Sequence, residues 1–413
     1  MFSEFHSIYE YKLFAIIVTC IDWCIGCISC DYVNVLILSH DKPNNNGCEY
    51  QMKINFVLPE LSLSGGIRVI AIYANMLAAR GHKVFIVSLP GKFEGFSGKI
   101  RYVKHCIRTL ELAPHLLVEA PKADFFDENL VTHVPLSSYR DVIDSDLPDA
   151  DVSIATWWKT VEPVVQLNES KGKEVYFAQD YGAPNQPLEK LIPTWRMPLH
   201  IITISPWLRR LIHDCVDKEA DLAMNGVDLL KFQFLSRDKN PEPTVGFVYR
   251  SAPQKGSLLI IEALKIVKES VPDLKIVGFG PYPPKEDIEL IQEGYFSWNV
   301  DDNEINGLYQ SCDVWLFATK REGFGLPILE AMASGTPVIA TPAGASPDIL
   351  NMGGGCLVDN SASSMAESII KLLNLPSHEW QSLSKEARHI AEQFTWESAC
   401  DQFEAGLNRA LEK

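Results

Sequence analysis

The sequence predicts an α/β fold in which two doubly wound domains face each other across a cleft. From Met52 onward, short apolar runs alternate with amphipathic stretches, the pattern of parallel strands covered by helices. The alternation restarts after Asn225-Gly226-Val227-Asp228, and the stretch Lys231 to Pro243 at that junction is polar and carries two prolines. A chain of 413 residues has room for two or three domains and a large core.

The elements follow in order. Residues 1–51 form an anomalous N-terminal extension. Leu13 to Ile21 is apolar but short, and Asp22 interrupts it before it could span a bilayer. Glu4 and Glu10 against Lys12 give the wrong charge for a signal peptide. Val33 to Leu38 could form an added edge strand or a membrane-contacting segment. Met52 to Pro59 reads as a natural start running into a first strand, Ile54 to Leu58. Ser62 to Gly66 is a small-residue loop, Ile67 to Arg80 a helix closed by Gly81, and Val84 to Ser88 the next strand. Further strands are expected at Val152 to Ala155, Val175 to Ala178 and His200 to Ile204, which makes 52–220 the first domain. The second, 221–395, has strands near Thr244 to Tyr249, Lys275 to Val277, Val314 to Ala318 and Pro337 to Ala340. Trp396, Cys400, Phe403, Leu407 and Leu411 recur at helical spacing, so 396–413 is an amphipathic helix.

Composition excludes several classes. A hydrophobic share of 46% and a charged share of 22% are those of a globular protein. The formal charge of -16 argues against nucleic acid, which needs clustered Lys and Arg. It gives no support for broad docking on anionic lipid, although a local basic patch remains compatible with it. Of the ten cysteines, Cys20, Cys24, Cys27, Cys30 and Cys48 precede residue 50 and the rest are scattered without paired spacing. They read as reduced, mostly buried thiols of a cytosolic protein. Cys24-x2-Cys27-x2-Cys30 has the spacing of a metal half-site, but no second cluster follows.

The densest chemical signal is Arg321 to Leu350, REGFGLPILEAMASGTPVIATPAGASPDIL. Glu322 and Glu330 bracket a glycine-bearing turn and the first turns of a helix. Gly323 and Gly325 admit backbone conformations closed to other residues and leave room for a ligand. Pro327 suits the first helical position, and Gly335 ends the helix as a C′ glycine. Free N–H groups at Phe324, Gly325 and Leu326 would form an anion site with the helix dipole behind it. Glu330 lies about one turn inside the helix, so both carboxylates can face one crevice. A phosphate-binding turn flanked by hydroxyl acceptors is what a nucleotide-sugar requires. Arg250 and Lys255, in Tyr249-Arg250-Ser251-Ala252-Pro253-Gln254-Lys255-Gly256, stand at a strand end and the start of a loop–helix segment. There they could converge on a diphosphate. Such cations stabilise the charge that builds as a nucleoside diphosphate departs. Arg offers a bidentate fork and Lys a point charge.

The string from Arg321 resembles the E-x7-E signature of GT-B glycosyltransferases of the family 4 (group 1) type, and the Arg250–Lys255 segment resembles that family's G-R-x4-K-G motif, with Tyr249 where a glycine is common. The resemblance implies a GT-B fold, two doubly wound Rossmann-like domains facing a cleft, with the C-terminal helix crossing back onto the first domain. It implies retaining, metal-independent transfer of a sugar from a nucleoside-diphosphate-sugar, with no cofactor. Arg250 and Lys255 are then the diphosphate cations, Glu322 touches donor-sugar hydroxyls and Glu330 binds ribose hydroxyls. Backbone groups of Phe324, Gly325 and Leu326 help hold sugar and phosphate. Gly65 and Gly66 resemble the N-terminal glycine loop. Val277-Gly278-Phe279-Gly280-Pro281 resembles the segment beside the base, with Asn299-Val300 near it. It is a G-x-G and not G-x-G-x-x-G, so it does not indicate a dinucleotide fold.

The acceptor side departs from the family pattern. Tyr176-Phe177-Ala178-Gln179-Asp180-Tyr181 places Gln179 where many members have a reacting-centre His. Gln can orient a hydroxyl or a phosphate but cannot titrate, and Asp180 beside it is a candidate acceptor-binding group or base. Trp157 in Trp157-Trp158-Lys159 is a candidate stacking wall for a sugar face. These QDY and TWW segments resemble bacterial surface-polysaccharide transferases of the rhamnosyltransferase type. The expected acceptor is a saccharide or lipid-linked saccharide, met in the cytoplasm, with peripheral contact at the inner face of the membrane left open. Asp144-Ser145-Asp146 and Asp149-Ala150-Asp151 have D-x-D spacing, but their acidic, Pro-containing loop reads as turn residues, and no essential metal is expected. Two other readings stay open: a GT-B-shaped nucleotide-sugar epimerase or phosphorylase, and a non-catalytic nucleotide-sugar-binding partner in a glycan assembly complex.

Overall fold

The computed structural model describes residues 51–62, 64–90, 125–180, 188–284 and 288–413. The apolar Leu13 to Ile21 run, the Cys24-Cys27-Cys30 spacing, the Val33 to Leu38 strand and Tyr181 lie outside the described residues. Residues from Gln51 to Lys413 make one compact unit.

Two all-parallel sheets organise this unit. The first comprises β1 (Lys53–Leu58), β2 (Lys83–Ser88), β3 (Thr132–Pro135), β4 (Val152–Ala155), β5 (Lys173–Ala178), β6 (His200–Thr203) and β7 (Asp221–Leu222). Its spatial order is β3-β2-β1-β4-β5-β6-β7. The second comprises β8 (Thr244–Val248), β9 (Lys275–Gly280), β10 (Tyr295–Trp298), β11 (Val314–Phe317), β12 (Val338–Ala340) and β13 (Gly355–Leu357), in the order β10-β9-β8-β11-β12-β13. In each sheet the winding reverses once, between β1 and β4 and between β8 and β11. Doubly wound sheets bind ligands outside the carboxyl ends of the strands at that reversal.

Helices of the first half are α1 (Gly65–Ala79), α2 (Trp158–Val165), α3 (Leu188–Arg196) and α4 (Pro206–Val216). The second half has α5 (Ser257–Ser270), α6 (Glu289–Gln292), α7 (Ile305–Gln310), α8 (Leu326–Ala333), α9 (Ser346–Leu350), α10 (Ala362–Leu373), α11 (Ser377–Ala391) and α12 (Trp396–Leu411). The expected loop at Ser62 to Gly66 is shorter than the sequence suggests. Ser64 caps α1 by accepting from the Ile67 N–H, so both glycines are already helical. Strands β3, β7, β10 and β13 go unread in the sequence because they are short edge strands with no fully buried residue, unlike the equally short but buried β4 and β11. Short runs without a buried face carry little periodic signal.

The carboxyl-terminal helix α12 lies on the first sheet. Phe403 is fully buried, stacked on Tyr73 of α1 at 4.6 Å and edge-on to Phe177 of β5 at 4.8 Å. Gly406 lets the helix sit close, since a Cβ there would meet Ile202 at 2.8 Å. The chain passes between the halves twice, and the two passes touch. Val227 bridges Thr395, its N–H donates to the Phe394 carbonyl, and a Cβ on Gly226 would lie 2.3 Å from the Trp396 nitrogen. One apolar cluster runs from Phe56 and Phe177 in the first sheet through Phe403 to Trp315, Phe324 and Leu329 in the second half.

Ion pairs edge this docked helix. Arg80 and His82 meet Glu404, and Arg409 meets Asp221, which also accepts from His200. Burial pushes the Asp221 and Glu404 carboxyls up, but hydrogen bonds from Arg409 and His200, and from Arg80 and His82, outweigh it and hold both below their ordinary values. A carboxyl with a depressed folded value adds stability above its unfolded pKa, about 4, and loses it as pH falls through the folded one. Urea stability should therefore decline from pH 5 towards pH 3, with a shallower decline in Asp221→Asn. An unaltered slope in that variant would remove Asp221 from the acid response.

Candidate functional site

The site forms at the reversal of the second sheet. After β8 the chain turns through Pro253–Lys255 into α5. The Arg250 N–H donates to Ser257 Oγ at 2.9 Å. Gly256 takes φ 72°, and a Cβ there would lie 1.9 Å from the Ala318 carbonyl. This loop is therefore packed against the end of β11, from which Glu322 follows. Lys255 Nζ lies 2.8 Å from Glu322 Oε2, both half-buried. Arg250 reaches the same space. It keeps contact with solvent, yet crowding by protein lowers its pKa, opposed by Glu322, Tyr309 and Glu330. Arg250, Lys255, Glu322 and Glu330 are thus brought together.

The turn before α8 owes its glycines to different causes. Gly325 has φ 104° and caps the helix, a conformation that disfavours a side chain. Gly323 has no such φ. A Cβ on it would stand 1.9 Å from the Gln179 carbonyl of the first half. Its own carbonyl accepts from Ser205 Oγ at 2.9 Å and Trp207 Nε1 at 3.0 Å. The room Gly323 leaves is filled by the other domain, where the sequence suggested a ligand. Phe324 is buried, and its carbonyl accepts from Ala345. Gly344 (φ 62°) lets that following turn close over it. Leu326 opens α8 with Pro327 behind it, and the first N–H groups of any helix lack intrahelical acceptors. Glu330, one turn on, accepts from the Tyr309 hydroxyl at 2.7 Å.

The remaining candidates are distributed as follows. Gly65 is exposed, with open space where a Cβ would be, while a Cβ on Gly66 would lie 3.8 Å from the Gln179 amide. Gly66 and Gln179 therefore meet at the carboxyl ends of β1 and β5. Asp180 is exposed beside them and adds, after burial, to the upward push on the Tyr176 hydroxyl. Gly278 is buried within β9, where a Cβ would strike the Phe296 ring at 2.4 Å. The close approach it permits is to that ring. Val300 is half-buried in the loop after β10. Trp157 caps α2 and lines a cavity of about 360 Å³ with Val57, Ser88, Leu136, Arg140 and Lys159, at the reversal of the first sheet. Gln179 and Asp180 do not line that cavity. Lys159 sits over both the Trp157 and Trp158 rings, 5.0 and 5.3 Å from their centroids.

Both D-x-D stretches are occupied structurally. Asp146 pairs with Arg140, Asp144 accepts from Asn168, Asp149 pairs with Lys171 and Asp151 accepts from the Lys53 N–H. Among the described residues, no group of three or more His, Cys, Asp or Glu side chains is arranged to hold a metal. No helix among them is long and apolar enough to cross a membrane.

Sequence reasoning missed a second charged group. Asp302, just past Val300, accepts from Arg68 of α1 and pairs with Lys231 at 2.7 Å. Burial lowers the Lys231 pKa, and Arg68 lowers it further, against Asp302 and Glu330. The hint in the sequence was thin: Arg68 follows Gly65-Gly66 by less than one turn, and Lys231 opens the polar junction.

Four cations and three carboxylates thus ring one cleft: Arg68, Lys231, Arg250 and Lys255 with Asp302, Glu322 and Glu330. Such a set can take a diphosphate on its cations and hydroxyls on its carboxylates. Residues 231–390 match the family described as glycosyl transferases group 1. The second sheet and its helices are a group 1 glycosyltransferase domain. The chain is 31% identical over 173 residues to the sulfoquinovosyl transferase SQD2 of Arabidopsis thaliana, covering 40% of this chain and 33% of that protein. The chain spans about a third to a half of the length of the curated relatives it matches. In three dimensions it resembles sucrose-phosphate synthase from Thermosynechococcus elongatus, with TM-score 0.61 and 16% identity over 86% of this chain and 98% of that one. It also resembles Anabaena HepE, solved in complex with UDP and glucose, with TM-score 0.62 and 17% identity over 87% and 100%. The fold is GT-B, and the group 1 domain supplies Arg250, Lys255, Glu322, Glu330, Lys231 and Asp302, while Gln179 and Arg68 come from the other half.

Gly323 is the point at which the group 1 domain is seated on the first half. Gly323→Ala should force the Gln179 carbonyl away and cost about 1–3 kcal/mol, as overpacking does. Urea unfolding reads the loss, and wild-type stability would show that the contact yields freely.

Proposed function

We propose that the chain is a retaining, metal-independent glycosyltransferase that moves a sugar from a nucleoside-diphosphate-sugar to a saccharide or lipid-linked saccharide, in surface polysaccharide synthesis on the cytoplasmic side of a membrane. The observation that carries the reading is the Lys255–Glu322 pair beside Arg250 and Glu330 at the reversal of the group 1 sheet. The match to a sulfoquinovosyl transferase and the likeness to a protein solved with UDP and glucose support a nucleotide-sugar donor.

In this mechanism the diphosphate lies across Arg250 and Lys255 with the opening turn of α8 behind it. Glu322 takes hydroxyls of the transferred sugar, and Glu330 those of the ribose. As the bond between the anomeric carbon and the phosphate oxygen breaks, negative charge collects on the leaving diphosphate, where fixed cations stabilise it without a metal. The departing phosphate takes the acceptor's proton while the acceptor oxygen attacks from the same face, so configuration is retained. Gln179 and Asp180 border the acceptor, Gln179 orienting a hydroxyl or phosphate without titrating. Trp157 and its cavity offer a further acceptor-side surface.

Arg250→Ala and Lys255→Ala should lower turnover, and Glu330→Ala should mainly weaken donor binding. Losing one charge-assisted contact costs about 1.5–3 kcal/mol, or roughly 10- to 100-fold. Steady-state kinetics with varied donor separates these effects, and wild-type turnover in Lys255→Ala would remove Lys255 from the mechanism. A nucleotide-sugar screen by thermal shift identifies the donor. Free nucleotide should then appear only when acceptor is present. Conversion of the donor to a second nucleotide-sugar without net nucleotide release would favour an epimerase, and release that needs only inorganic phosphate a phosphorylase.

Anomeric NMR of the product should show retention, with activity unchanged after EDTA treatment. Inversion would overturn the same-face mechanism, and loss of activity restored by a divalent cation would overturn metal independence.

A further inference from the structure

Tyr309 is fully buried and takes no part in the chemistry above, yet the Glu330 carboxylate rests on its hydroxyl. Its ring is wedged against Trp315 at 4.5 Å, with Phe279 and Phe232 each at 5.9 Å, so the phenol cannot swing. A phenylalanine would fill the same space without the cost of burying a hydroxyl, which is offset only by a hydrogen bond. That bond goes to Glu330 Oε2 at 2.7 Å. No other hydrogen bond to this carboxylate is seen among the described residues, so Oε1 is left for a ligand. Burial first, and Glu330 second, push the Tyr309 pKa well above its ordinary value, which keeps the hydroxyl a donor. Lys231 and Arg250 both attract the Glu330 charge. The backbone beneath is fixed too, since Ser334 Oγ donates to the Glu330 carbonyl at 2.8 Å.

We infer that Tyr309 is a positioning residue for ribose recognition: it holds one oxygen of Glu330 so that the other faces the cleft and accepts from the ribose hydroxyls of the donor. The inference rests on the reading of Glu330 as the ribose acceptor. Tyr309 touches no substrate, and its effect passes through Glu330.

The test compares binding of UDP and GDP with that of their 2′,3′-dideoxy counterparts, by calorimetry, in wild type, Tyr309→Phe and Glu330→Ala. Wild type should prefer the ribose form of whichever nucleotide binds. Both variants should lose about 10-fold or more of that preference, with affinity for the dideoxy form little altered. With the full donor, Tyr309→Phe should raise KM and leave kcat nearly unchanged. Full ribose preference in Tyr309→Phe, against its loss in Glu330→Ala, would overturn the role of Tyr309 and leave the ribose reading intact. Undiminished preference in Glu330→Ala would overturn the ribose reading and this inference with it.

Discussion

The seat of Gly323 between the two halves is the contact on which the site depends. A carbonyl from β5's end packs where a side chain would otherwise be, and two first-domain donors, Ser205 and Trp207, hold the Gly323 carbonyl. Glu322 immediately precedes this residue and the α8 turn immediately follows it. The position of the first domain and the geometry of the donor turn are therefore one constraint. Any shift of the first domain at this point is felt at Glu322, and through it at Lys255.

The same logic explains why α12 returns to the first sheet. A cleft between two domains is rigid only if something besides the cleft joins them. Here the two chain passes at Val227 and Thr395 touch, and Phe403 continues the apolar cluster across the join. Arg68 and Asp302 add a polar crossing at the other side of the opening. Half-exposed ion pairs contribute little stability on their own, so this crossing is better understood as setting the charge of the cleft. With Lys231 it brings two cations to one carboxylate beside Glu330.

Charge balance then gives the cleft its chemical bias. Outside it, Asp144, Asp146, Asp149 and Asp151 are spent on capping and pairing. Inside it, cations exceed carboxylates by one, and the carboxylates are each tied to a neighbour. A carboxylate so tied presents a fixed oxygen to a hydroxyl, and orientation rather than added charge separates a sugar from other ligands.

By itself the sequence determined the parts whose cause is local. Strand and helix positions follow from apolar periodicity, and β1, β4 and β8 fall within a residue or so of their expected limits. The grouping of Arg250, Lys255, Glu322 and Glu330 was legible because each sits at a strand end or helix start within two short motifs. Gly325 was legible as well, since its positive φ is a property of its own turn. Only the tertiary structure decided what depends on distant neighbours. Gly323 is small because Gln179, 144 residues earlier, packs on it, and Gly278 because of the Phe296 ring. Tyr309 belongs to none of the motifs, and nothing in its local pattern shows that its hydroxyl meets Glu330. Arg68, Lys231 and Asp302 lie on three separate segments, and a charge cluster assembled by folding leaves no spacing in the chain to read.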